Sequence, residues 1–106
     1  MQTVTADVQE IIANCAEETR NNRQVADAAV QALKDCGFFK MMLPKQWGGS
    51  ESRPQDFFAD HIKIAEADMS TAWACGIIAV HAFQIAMMDE RAQRDVYGED
   101  PNTLVR

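Results

Sequence analysis

Basic residues are scarce in this chain. Ten Lys and Arg face 16 Asp and Glu, for a net charge of -6. A nucleic-acid partner needs a basic face, and so does an anionic membrane surface, so both are excluded as partners. Cysteine is equally thin: Cys15, Cys36 and Cys75 are the only three. An odd count, with no C-x-x-C and no Cys/His zinc spacing, excludes a disulfide framework and a structural metal site. The three are expected to be reduced thiols in a cytoplasmic protein. The N-terminal MQTVTADVQE has no basic region followed by an apolar run, so a signal peptide is not expected. H-E-x-x-H, a glycine-rich phosphate loop and a local nucleophile signature are all missing.

One long apolar run is present, and the chain is organised around it. From Ala72 to Met88 only His81 and Gln84 are neither apolar nor small. Such a segment is expected to be a buried central helix, residues 70–88, capped by Ser70. It is short for a membrane span and carries two polar side chains, so a span is not the expected reading. Trp73, Ile77, His81, Gln84 and Met88 recur at spacings of four, four, three and four, which puts them on one face.

Other helices follow from periodicity and punctuation. Thr3 or Thr5 can cap a first helix reaching about Arg20, with Val4, Val8, Ile11, Ile12 and Cys15 along one side. Asn21 and Asn22 break that pattern and can cap a second helix, Gln24 to Cys36, which Gly37 ends. Pro44 and the pair Gly48–Gly49 make FFKMMLPKQWGG an irregular connector. Its apolar side chains are expected to pack partly against structure outside this chain. Ser52-Arg53-Pro54-Gln55 starts a third helix running to about Ala67. On it His61 sits at the edge of the apolar face and receives no role. Asp89 caps a last helix, Glu90 to Tyr97, ended by Gly98. Residues 99–102 are a turn. Residues 103–106 have strand character without a partner strand. The expected fold is all-α, about five helices around the buried one.

His81 is the sharpest chemical candidate. It is either a core histidine satisfied by a carbonyl or by Gln84, or an imidazole facing a cleft and able to bond or deprotonate a hydroxyl. Trp73 is either plain core or the wall of a site for a flat ligand.

The motifs GFFKMMLPKQWGG, ADMSTAW and GIIAVHAFQIAMMDERAQRDVYGEDPNTLV resemble the N-terminal helical domain of the acyl-CoA dehydrogenase superfamily. More narrowly they resemble its flavin-dependent monooxygenase branch, the phenylacetate and secosteroid hydroxylase oxygenases. The segment 89–98 stands where dehydrogenases proper carry G-[ST]-x-x-Q-K-x-x-[YW]-L-P. The resemblance implies a longer protein in which a β-domain and a C-terminal helical bundle follow, so that these 106 residues alone would be inactive. It implies reduced FMN or FAD from a separate reductase, O2, and a phenol hydroxylated ortho to its hydroxyl. It implies a homotetramer and no metal. His81 falls at the phenol-binding histidine of that branch, and Trp73 borders its flavin and substrate cavity. Gln84 shares the face without an assigned role. Two other readings stand beside this one. The first is an acyl-CoA dehydrogenase using a glutamate base from elsewhere. The second is a non-enzymatic helical module whose apolar surface serves a partner.

Overall fold

A computed structural model describes residues 3–100 and 103–104. Among them are six α-helices and no strand: α1 (Ala6–Asn14), α2 (Ala16–Asn22), α3 (Asp27–Cys36), α4 (Pro54–Ala67), α5 (Met69–Ala86) and α6 (Glu90–Tyr97). Two 3-10 turns, Phe38–Lys40 and Lys45–Trp47, lie between α3 and α4. Residues 101, 102, 105 and 106 lie outside the described residues, so the expected final turn and strand are only partly covered. Thr103 closes a loop onto the Asp100 carbonyl, donating from its amide at 3.1 Å and from its hydroxyl at 2.7 Å.

The first expected helix is in fact two. At Cys15 the backbone takes φ -92 and ψ -4, and α2 begins at Ala16. The break has a long-range counterpart: it lets Thr19 turn inward, where its hydroxyl accepts from the Ala26 amide at 3.1 Å. That bond replaces the side-chain cap expected from the asparagines. Hence α3 begins at Asp27 rather than Gln24, after Arg23 has taken a left-handed conformation with φ 52. Gly37 closes α3 with φ 89, as its sequence position suggests.

Most of the connector's apolar side chains are buried within this chain, while Pro44 and Trp47 are partly exposed. Phe38, Phe39, Met41, Met42 and Leu43 are all core residues. Phe38 stacks on Phe57 of α4 at 5.3 Å between centroids and meets Phe39 edge-on at 5.8 Å. The loop then folds back on itself. The amides of Ser50, Glu51 and Ser52 donate to the carbonyls of Lys40, Leu43 and Met41 at 2.9, 3.0 and 2.6 Å. Gly48 has φ 88, and a Cβ on Gly49 would collide with the Leu43 backbone. The N-terminal segment is tied down by Asp60, a fully buried carboxylate of α4. Its Oδ2 accepts from the amide and hydroxyl of Thr3 at 2.7 and 2.8 Å.

A single residue joins α4 to α5. Asp68, not Ser70, is the cap: its Oδ2 accepts from the Thr71 amide at 3.2 Å and from the Thr71 hydroxyl at 2.6 Å. A carboxylate also suits the positive end of a helix better than a hydroxyl does.

The expected all-round burial of α5 is not found. Only Thr71, Ala72, Cys75, Gly76, Ala79 and Ala82 are buried. These small side chains form one stripe that lets α4 approach closely. His61, given no role by sequence, fills the notch: its Nε2 donates to the Ala72 carbonyl at 2.7 Å. A Cβ on Gly76 would strike the same ring. The large side chains of α5 are left on the opposite side. By length and composition α5 could cross a bilayer, and a third of it is buried within the domain.

Replacing Gly76 by valine should cost about 2 kcal/mol through overpacking against His61, despite the gain in helix propensity. A lowered urea midpoint checks this, and adding His61→Ala should recover part of the loss. Burial also raises the Cys75 thiol from 9.0 to about 11. Ionisation therefore favours the unfolded chain, and stability is full below about pH 9 and falls towards about pH 11. Urea melts across that range should show the decline, and Cys75→Ala should reduce it.

Candidate functional site

The sequence-predicted residues lie on the uncovered side of α5. Trp73 is 67% exposed and Ile77 40% exposed. Gln84 is exposed and His81 half-buried. Met88, expected at the end of the same helix, lies two residues past its last turn. At 100° per residue Trp73, Ile77 and Gln84 keep nearly one azimuth. His81 is rotated about 80° from Trp73 and sits about 12 Å further along the axis. The residues form an elongated wall, and they do not converge on one small pocket.

Two properties make this wall chemically distinctive. No Asp, Glu, Lys or Arg occurs from Met69 to Met88, so α5 itself brings no fixed side-chain charge to it; Arg20 and Arg23 line a concavity with Ser70 and Ala74 of α5. His81 is the single imidazole on this helix, a group with two ring nitrogens for hydrogen bonding. The flat indole of Trp73 beside Ile77 suits a planar aromatic surface.

The three thiols add no nucleophile to the wall. Burial pushes up both Cys36 and Cys75, so each stays protonated near neutrality. Burial likewise raises the Tyr97 phenol. Among the described residues no group of His, Cys, Asp and Glu could hold a metal ion.

Sequence reasoning missed Gln93. It is buried in α6 and ties three segments together. Its Nε2 donates to the carbonyls of Ala86 and Met88 at 3.2 and 3.0 Å. Its Oε1 accepts from Trp47 Nε1 at 3.2 Å and Gln46 Nε2 at 3.1 Å. The end of α5 is thereby fastened to α6 and to the connector. The available signal was its spacing from Tyr97, i and i+4, on a helix whose other side chains are mostly charged. Trp47 completes the brace, with its ring 6.3 Å from that of Tyr97.

The chain belongs to the family described as acyl-CoA dehydrogenase, N-terminal domain, whose model matches residues 1–99. Within it the chain is similar to oxygenase components. The flavin-dependent monooxygenase oxygenase subunit HsaA of Mycobacterium tuberculosis is 41% identical over 90 residues, which is 85% of this chain and 23% of that protein. The p-hydroxyphenylacetate 3-hydroxylase oxygenase component of Acinetobacter baumannii is 34% identical over 91 residues, 86% of this chain and 22% of that protein. A crystal structure of the M. tuberculosis HsaA monooxygenase superposes with a TM-score of 0.88 at 39% identity, covering 92% of this chain and 27% of that one. The chain thus spans about a quarter of the length of these relatives.

Gln93→Leu removes four hydrogen bonds and strands the Trp47 indole. The substitution should lower stability by about 2 kcal/mol, read from a urea titration followed by tryptophan fluorescence.

Proposed function

We propose that this chain is the N-terminal helical domain of the oxygenase component of a two-component, reduced-flavin-dependent monooxygenase. A β-domain and a C-terminal helical bundle complete that protein. Its substrate is a phenol hydroxylated ortho to its hydroxyl, and a steroid-derived phenol belongs to the same class. The observation that carries this reading is the apolar outer side of α5, which has no charged side chain of its own and His81 as its single imidazole, in a chain similar to HsaA. The printed names of relatives support the chemistry. One is an FADH2-dependent resorcinol hydroxylase oxygenase component from Rhizobium, and another hydroxylates position 3 of p-hydroxyphenylacetate, which is ortho to the phenolic oxygen. A separate reductase supplies the reduced FMN or FAD. The assembly is a cytoplasmic homotetramer by its resemblance to that branch.

When bound, reduced flavin supplies the two electrons with which O2 places one oxygen atom on the ring and releases the other as water. The chain's own residues do the rest. Trp73 and Ile77 offer an apolar surface that excludes water, and water would otherwise divert reduced oxygen into peroxide. His81 accepts a hydrogen bond from the phenol through a ring nitrogen. That pulls the phenolic proton away and raises electron density at the ortho carbon. Gln84, one helical turn further on, borders the same strip.

In the full-length protein with its reductase, His81→Asn should reduce phenol hydroxylation by about 100-fold and raise hydrogen peroxide released per flavin oxidised. Product and peroxide assays on the same reaction check both. Wild-type turnover and coupling in the variant would refute the role of His81. Bleaching of oxidised flavin by an acyl-CoA without reductase would favour a dehydrogenase instead.

A further inference from the structure

A second concavity lies on the other flank of α5, away from the Trp73 wall. It encloses about 250 Å3 between the end of α3, the first 3-10 turn, α5 and residues 103–104. Its walls are apolar where Phe39, Leu43, Ile78 and Leu104 meet. Lys34 and Lys40 stand at it as well. Among the described residues neither lysine forms an ion pair. Asp35 also lines the opening and keeps its charge, its Oδ1 accepting from the Gln31 side-chain amide at 2.8 Å. Two ammonium groups against one carboxylate thus leave this hollow with a local excess of positive charge in a chain of net charge -6.

Size and chemistry together define the ligand. A cavity of about 150 Å3 holds one benzene ring. The remaining volume, about 250 less 150 or roughly 100 Å3, takes a short acid arm. Apolar walls with a few convergent polar groups are the usual make-up of small-molecule sites. Two lysines give a charge-assisted anchor for a carboxylate.

We propose that this cavity binds a small one-ring aromatic carboxylate, its ring among Phe39, Leu43, Ile78 and Leu104 and its carboxylate held by Lys34 and Lys40. The site is separate from the Trp73 and His81 wall, and its occupancy does not depend on flavin.

Titration of the 15N-labelled protein with phenylacetate, and in parallel with the uncharged phenylacetamide, tests the assignment. Saturable shifts should centre on the amides of Lys34, Lys40, Thr103 and Leu104 and leave that of Trp73 still. The amide should bind about tenfold more weakly, and Lys34→Gln with Lys40→Gln should weaken phenylacetate by about tenfold while leaving helical circular dichroism unchanged. Leu104→Trp, which fills the hollow, should abolish binding. The proposal is overturned by shifts centred on Trp73, by equal binding of acid and amide, or by no saturable shift in the millimolar range. A failure of His81→Asn to affect hydroxylation would leave this result untouched, so the two readings fail separately.

Discussion

The close approach of α4 to α5 is the constraint on which the rest of the structure depends. It is possible only because α5 presents a stripe of Ala, Gly, Cys and Thr to its neighbour. His61 lies against Gly76, where even a methyl group would not fit, and its ring donates to the Ala72 carbonyl. With only small residues inside, the bulk of α5 must lie outside. Trp73, Ile77, Phe83 and Met87 are exposed for the same reason that Ala79 and Gly76 are buried. The outer wall and the inner seam are two consequences of one division of side-chain size.

The interior is correspondingly not centred on α5. Its large buried side chains come from the connector and from α1, α3 and α4: Phe38, Met41, Leu43, Ile12, Leu33, Phe57 and Ile64. A segment without regular structure supplies the middle of the core because its amides bond back onto its own carbonyls and to flanking residues. Gln93 does for side chains what those bonds do for the backbone. It gathers the free carbonyls at the end of α5 and the Trp47 indole into one satisfied group. The position of His81, a turn before that end, therefore rests on a brace contributed by α6.

Helix order, the Gly37 and Asp89 boundaries and the proline start of α4 were legible because each depends on residues adjacent in sequence. The break at Cys15 was not, since it is linked to a bond between Thr19 and Ala26 across a turn. Asp68 and Ser70 both offer a capping oxygen, and only the reach to Thr71 decides between them. Residues of the wall could be assigned to one face by spacing. Which way the face points could not, because a helix apolar on every side carries no periodic signal of inside and outside. The chemistry expected of His81 came from the resemblance to flavin-dependent hydroxylases. Gln93 escaped because a lone glutamine on a charged helix looks like surface.

The one-residue joint at Asp68 couples fold to site in a further way. With no slack between α4 and α5, the orientation of the wall is inherited from the core beneath it. The outward side chains, by contrast, touch little of that core, and substitutions at such positions usually change stability by less than about 0.5 kcal/mol. Trp73, Ile77 and Gln84 can thus be exchanged almost independently of folding, while the frame holding them cannot. A scaffold of this kind gives ligand preference wide mutational latitude and gives geometry almost none, which is a favourable starting point for diversifying substrates on an unchanging backbone.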